Sequence, residues 1–170
     1  MCIGISCEIG RHGDEIVIWF GDPSENGPDR DSHTIIRKFN RIPEIYTDNW
    51  RRTPIELWLA GDWKNANDYK INFDESKPDW WDLDCESALR SRLKTEINLR
   101  RKSVEQNGLW PGSVKVVGKS AVEWTSVGGY LDVHADFSAP VLTSVGGYLN
   151  VRADFSAPVL EKVNGKPYKK

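Results

Sequence analysis

The stretch TSVGGYLDVHADFSAPVL at residues 125–142 is followed directly by TSVGGYLNVRADFSAPVL at residues 143–160. The two copies differ at only two positions, Asp132 against Asn150 and His134 against Arg152. Repeats of about this period build solenoids, because a single turn cannot bury its apolar face and must stack on its neighbours. The repeat therefore predicts a stack of β-rich turns near the carboxyl end of the chain.

Fainter copies of the unit lie on both sides of the pair. GSVKV at residues 112–116 matches GYLDV and GYLNV, and Trp124 takes the place of Leu142 and Leu160. We expect about three turns, the first of them closed by the N-terminal part of the chain so that the two parts share a core. The charged tail at residues 161–170 is expected to cap the last turn and to discourage edge-to-edge stacking.

Alternation within each unit predicts which side chains face inward. LDVHADF reads as one main strand, and APVLTSV reads as a second short extended piece. Glycine pairs are expected to turn one corner of the coil, and Pro140 and Pro158 another. The inward positions of the first copy are then Leu131, Val133, Ala135 and Phe137, stacked on their equivalents in the second copy.

The outward face of this strand is our candidate binding surface. It holds Tyr130, Asp132, His134, Tyr148, Asn150 and Arg152. Stacking of the turns predicts a ladder of Lys115, Asp132 and Asn150, with Tyr130 over Tyr148 beside it. Tyrosine and arginine are enriched at interface hot spots, so this face could bind a protein, although an exposed sheet that binds nothing has the same pattern.

Residues 1–106 are expected to form an α+β domain. A hairpin of residues 2–8 and 15–20, with further strands at 53–60 and 68–73, predicts a small antiparallel sheet. The expected fold class is thus α+β, with one short and one long helix and a short β-solenoid-like repeat at residues 107–170.

Two helices follow from capping and periodicity. The short one begins after Asp31 or Ser32, and the long one begins after Asp79 with acidic residues in its first turns. The long helix carries one apolar stripe that is expected to lie on the sheet. That stripe consists of Trp81, Cys85, Ala88, Leu89, Leu93 and Ile97.

Composition excludes several classes of protein. The chain has 170 residues, 28% of them charged, and a formal net charge of -2, so direct nucleic-acid binding is not expected. It has neither an apolar run of the roughly 20 residues that span a membrane nor a recognisable signal segment, so we expect a cytoplasmic protein. Seven of the eight tryptophans lie before residue 112, where the faint first copy of the unit begins, and we take Trp63 and Trp80 as further candidate anchors for a partner.

The sequence offers little catalytic chemistry. Cys2 could be a nucleophile exposed by removal of Met1, and His33 could be a general base beside the short helix. A metal cluster of Cys2, Cys7, His12 and His33 is conceivable, but no standard metal spacing or phosphate-binding glycine loop is present. We therefore expect a protein without a cofactor that is not an enzyme.

The sequence VGGYLDV…APVLTSVGGYL resembles the tandem-repeat tails of uncharacterised bacteriophage and prophage proteins. GDPSENGPDRDSHTIIRKFN and KPDWWDLDCESALRSRL are similar to the N-terminal part of such proteins. The resemblance implies phage origin and expression inside a bacterium, and it supplies no catalytic residues.

We hypothesise that the chain is a non-enzymatic protein that binds a bacterial host protein as an inhibitor or adaptor. The target could belong to a defence system, as the targets of anti-CRISPR proteins do. One alternative is a small-ligand binder that sequesters a nucleotide signal on tryptophan and arginine side chains. The other is a small hydrolase that uses His33. A monomer and a dimer are both compatible with the sequence.

Overall fold

A computed structural model describes residues 4–42 and 50–169. The amino-terminal strands are β1 (Ile5–His12) and β2 (Glu15–Trp19), joined by a two-residue turn in which Gly13 has a φ of +59°. With β3 (Arg51–Leu59) and β4 (Tyr69–Phe73) they form an antiparallel order β2-β1-β3-β4. The predicted hairpin is confirmed, and its first strand runs on to His12.

Two helices accompany this sheet, as predicted. Helix α1 spans His33–Phe39 and helix α2 spans Leu83–Asn107. The predicted N-cap of α2, Asp79, was wrong: the Asp82 carboxylate accepts a hydrogen bond from the Cys85 amide at 3.0 Å. Residues 78–81 instead form a turn that precedes the helix.

The apolar stripe of α2 lies in the core. Trp81, Cys85, Leu89, Leu93 and Ile97 are buried and belong to the same apolar cluster as the inner side chains of β1 and β3. The 3.6-residue period thus identified the buried face of this helix correctly.

After α2 the chain winds into three turns, each with three short strands. The first turn contains β5 (Leu109–Trp110), β6 (Val114–Val116) and β7 (Ser120–Ala121); the second contains β8 (Ser126–Val127), β9 (Leu131–Val133) and β10 (Phe137–Ser138); the third contains β11 (Ser144–Val145), β12 (Leu149–Val151) and β13 (Phe155–Ser156). Equivalent strands pair in parallel, so the turns form a three-sided β-solenoid.

The number of strands per turn differs from the prediction of one main strand and one short piece. The chain turns a corner at residues 134–136, so LDVHADF is divided between β9 and β10. Ala135, predicted to face inward, lies at this corner and is only half-buried. Strict alternation ends where the strand ends, whereas Phe137 resumes the inward pattern in β10.

The solenoid is joined edge to edge to the N-terminal sheet. Leu59 at the end of β3 pairs in parallel with Val116 of β6, and the Val117 amide donates to the Leu59 carbonyl at 2.8 Å. Strands β6, β9 and β12 therefore extend the antiparallel strands into one seven-stranded mixed sheet. The sheet is accordingly larger than the small antiparallel one that the sequence predicted.

Three tryptophans fill the base of the solenoid. Trp110 and Trp124 stack with ring centroids 4.5 Å apart, and Trp63 packs edge-on against them at 5.8 and 5.6 Å. All three are buried in an apolar cluster that runs from Ile5 to Leu160. The first turn thus stacks on side chains from the N-terminal part of the chain.

A buried ion-pair network crosses the same junction. The Arg100 guanidinium of α2 bonds to Asp31 at 2.7 Å, to Glu96 at 2.9 Å and to the Pro111 carbonyl at 2.6 Å. Asp31 also accepts a 2.7 Å bond from the Ser113 amide, and Arg30 bonds to Glu96 at 2.8 Å. Asp31, a candidate N-cap for α1, therefore anchors the first solenoid turn instead.

The tail forms a hairpin of β14 (Lys162–Val163) and β15 (Lys166–Pro167) on the β11 edge. Asn164 and Gly165 occupy its turn with φ angles of 51° and 69°, as hairpin turns of two residues require. The hairpin covers one of the three sides, so Val151 of β12 stays 41% exposed.

Candidate functional site

The outer side of β6, β9 and β12 carries the predicted ladder. Lys115 pairs with Asp132, and Asp132 pairs with Asn150, in the register of the three strands. We use the name ladder face for this surface. Its members are Lys115, Tyr130, Asp132, His134, Tyr148, Asn150 and Arg152.

Asp132 lies at the centre of the ladder face, but its side chain is not accessible to a partner. It is only 2% exposed, because neighbouring side chains cover it. Its carboxylate accepts a 2.7 Å bond from the Asn150 amide, lies 2.8 Å from His134 Nε2 and 4.0 Å from Lys115 Nζ. Asp132 therefore holds the polar side chains around it in place.

This arrangement explains one of the two differences between the repeats. An aspartate at position 150 would place a second carboxylate next to Asp132 on the neighbouring strand, where like charges repel. Asn150 instead donates a hydrogen bond to Asp132. The second difference puts Arg152, which is exposed, in the turn above the half-buried His134.

Two tyrosines form the aromatic part of the face. The rings of Tyr130 and Tyr148 stack with centroids 4.4 Å apart and planes 20° apart. Burial raises the pKa of Tyr148, and Asp132, Tyr130 and Glu56 raise it further. The Tyr148 hydroxyl is therefore a neutral donor at physiological pH, and both rings are half-buried on rigid strands.

Glycines next to the tyrosines are required by close packing. A Cβ on Gly147 would lie 2.2 Å from the Tyr130 ring, and one on Gly146 would lie 2.2 Å from the Gly128 carbonyl oxygen. Among the glycines in the described ranges, the positive φ angles fall at 13, 108, 112 and 165, so the repeat glycines do not serve a left-handed turn. They lie at the predicted corner, but glycine is required there because successive turns approach too closely to leave room for a Cβ atom.

The two tryptophans proposed as anchors lie away from the ladder face. Trp63 is 4% exposed within the tryptophan cluster at the base of the solenoid. Trp80 is half-buried beside the start of α2, where its carbonyl accepts a 3.1 Å bond from Arg11.

A third tryptophan, which the sequence reasoning missed, adjoins the ladder. Lys115 Nζ lies 3.8 Å from the centroid of the Trp58 ring, and Trp58 Nε1 donates to Glu56 at 2.9 Å. The ladder is thus continuous with β3. The parallel pairing of β3 with β6 brings these residues together, and no local sequence pattern predicts that pairing.

Two concave surfaces were also missed. A groove of about 700 Å3 runs along β7, β10 and β13, with Asp136, Asp154 and the serines of these strands on its wall. A cavity of about 490 Å3 lies between α1 and β3. Its lining residues are Thr34, Arg37, Lys38, Arg41, Ile42 and Arg52.

The candidate catalytic residues have the following positions. The nitrogens of His33 lie 3.2 Å from Glu8 and 3.2 Å from Asp74, so the ring bridges two carboxylates. Burial raises the pKa of the Cys7 thiol, and Cys2 lies outside the described residues. Within residues 4–42 and 50–169, no group of histidine, cysteine and carboxylate side chains could hold a metal ion.

Comparisons with protein-family models, curated proteins and solved structures return no match for this chain. In the part of the chain that the structure describes, no helix is both long and apolar enough to cross a bilayer.

Proposed function

We propose that this chain is a non-enzymatic protein-binding module that docks through the ladder face. The observation that carries the proposal is the rigid pairing of the Tyr130–Tyr148 stack with a polar row fixed by Asp132. Such a surface needs little ordering when a partner binds, and a low entropic cost of ordering favours affinity.

The chemistry of the face indicates what a partner must offer. Tyr130 and Tyr148 present half-buried aromatic edges, and Arg152 presents an exposed guanidinium. A complementary surface would carry an apolar or backbone patch for the rings, and a carboxylate or carbonyl group for Arg152.

The identity of the partner is proposed from the resemblance to phage and prophage proteins. On that basis the partner is a bacterial host protein in the cytoplasm, and the chain acts on it as an inhibitor or adaptor. A defence complex of the CRISPR type is the form of target that we favour.

The test is capture of partners from bacterial lysate with wild-type protein and with the double variant Tyr148→Ala and Arg152→Ala. Both side chains lie in the last turn, so their truncation leaves the tryptophan cluster and the ion-pair network in place. We expect the variant to retain less than a tenth of a stoichiometric partner, since hot-spot truncations cost about 2 kcal/mol or more.

The matched control is Val141→Ala with Lys162→Ala, which also removes one apolar side chain and one cation. Val141 is 43% exposed and Lys162 is exposed, and neither belongs to the ladder face. Equal capture by wild type and both variants would show that a partner docks elsewhere, and would refute the proposal.

A further inference from the structure

The cavity between α1 and β3 is strongly cationic. Four basic side chains line it: Arg37, Lys38, Arg41 and Arg52. Beneath them lies Glu8, fully buried, which accepts from Arg37 Nε at 2.8 Å and lies 3.1 Å from Arg52 Nε. Glu8 thus pairs with two of the four cations, Arg37 and Arg52.

Lys38 and Arg41 carry the surplus charge. Both are exposed, and within residues 4–42 and 50–169 neither takes part in an ion pair. Arginine and lysine grouped around a concave surface form the usual recognition site for phosphate groups.

Arg41 also has an unusual backbone. Helix α1 ends with the Ile42 amide bonded to the Arg37 carbonyl at 2.9 Å, and Arg41 adopts a left-handed φ of 55°. This position after a helix ordinarily holds glycine, because a side chain there costs about 1 kcal/mol or more. The fold therefore tolerates a strained residue at the mouth of the cavity, which is typical of functional positions.

An aromatic cluster lies next to Arg52 on the same face of the sheet. Arg52 is the register partner of Gly10, and a Cβ on Gly10 would lie 2.8 Å from the Trp19 ring and 3.2 Å from the Trp50 ring. His12 stacks on Trp50 with ring centroids 5.3 Å apart and planes 13° apart. His12 is exposed, so its outer surface can receive another planar ring.

We infer that this face is a binding site for a nucleoside monophosphate, with the phosphate in the cationic cavity and the base against the aromatic cluster. A volume of about 490 Å3 falls within the range of about 300 to 1,000 Å3 that is typical of small-molecule sites. The inference is independent of the ladder face, since it uses α1, β1 and β3 rather than the solenoid.

Calorimetric titration of the full chain with AMP and with inorganic phosphate tests the site. We expect AMP to bind about tenfold or more tightly than phosphate, because base stacking adds to the phosphate contacts. Absence of AMP binding at millimolar concentration would overturn the site, and equal affinity for the two probes would overturn the role of the aromatic cluster.

Two variants decide whether the cavity is responsible. Lys38→Gln is expected to weaken AMP binding about tenfold, whereas Arg92→Gln, which removes an exposed cation from α2, leaves it unchanged. Arg41→Gly removes the strain of a side chain at a left-handed φ, so it is expected to raise the melting temperature. Because it also removes a cation from the cavity, it is expected to weaken AMP binding by at least tenfold. Unchanged affinity in Lys38→Gln and Arg41→Gly would overturn the assignment.

Discussion

At the scale of single residues, Arg100 fixes the junction between the two parts of the chain. Its guanidinium is fully buried and joins Asp31, Glu96 and the Pro111 carbonyl. A buried pair of this kind adds little net stability compared with apolar packing, but loss of one partner leaves an uncompensated charge. The network therefore positions the first solenoid turn more than it strengthens the fold.

Replacement of Arg100 measures how much the fold depends on this buried network. Arg100→Ala leaves Asp31 buried without its cation and leaves Glu96 with Arg30 alone, so we expect the free energy of unfolding to fall by about 3 to 5 kcal/mol. Arg92→Ala, an exposed change on the same helix, should alter it by less than about 0.5 kcal/mol. Similar losses in the two variants, measured by chemical denaturation, would contradict the role of Arg100.

The same network predicts a pH dependence. Burial acts to raise the pKa of Glu96, but Arg100 and Arg30 outweigh it and the pKa is lowered. The ionised form is thus favoured in the folded state, so its contribution is complete above the unfolded glutamate pKa of about 4.3 and is lost as pH falls through the lower folded pKa.

Denaturation of wild type and Glu96→Gln between pH 7 and pH 3 tests this sign. The variant should be less stable at pH 7, and its stability should fall less steeply below about pH 4.3. Parallel curves for the two proteins would show that Glu96 does not contribute in this window.

At the scale of elements, the short strands of the solenoid depend on close contact between turns. Gly146 has no room for a Cβ, because the Gly128 carbonyl oxygen would lie 2.2 Å away. Backbone cannot move aside as a flexible side chain can, so the turns would have to separate. The glycine pairs thus set the spacing of the ladder.

Gly146→Ala is expected to lower the free energy of unfolding by about 1 to 3 kcal/mol, as overpacked positions do. Gly27→Ala is the control, since Gly27 has a φ of -84° and meets only the Glu25 carboxylate at 3.3 Å. A loss in Gly27→Ala as large as that in Gly146→Ala would contradict this packing argument.

At the scale of the whole molecule, the repeats add turns in steps of eighteen residues. Ser144 pairs with both Ser126 and Lys162, so removal of one unit brings Lys162 into register with Ser126. The tail hairpin would then cap the second turn on the same side as it now caps the third.

Deletion of residues 143–160 should therefore leave a protein that unfolds in one cooperative transition. Deletion of residues 143–151 removes half a turn, moves the hairpin to a different side, and should lower the melting temperature more than the longer deletion. Thermal unfolding compares the two, and the reverse order of melting temperatures would contradict the stacking register.

Much of this architecture followed from local patterns. The repeat predicted the ladder and the tyrosine stack, and the 3.6-residue period predicted the buried side of α2. The pairing of Leu59 with Val116, the ion pair of Arg100 with Asp31 and the cationic cavity join residues distant in sequence, and local periodicity carries no information about such contacts. The Asp132 side chain was predicted to be exposed on the outward face, but it is buried. Side chains from a neighbouring strand on each side and from the corner after β9 cover it, and alternation within one strand does not predict such contacts.

The central claim is that the ladder face binds a protein, and photo-crosslinking tests it most directly. Tyr148→p-benzoylphenylalanine should form a covalent adduct with the partner captured from lysate, whereas the same replacement at Val141, an exposed position outside the ladder face, should not. An adduct from position 141 with none from position 148 would contradict the claim.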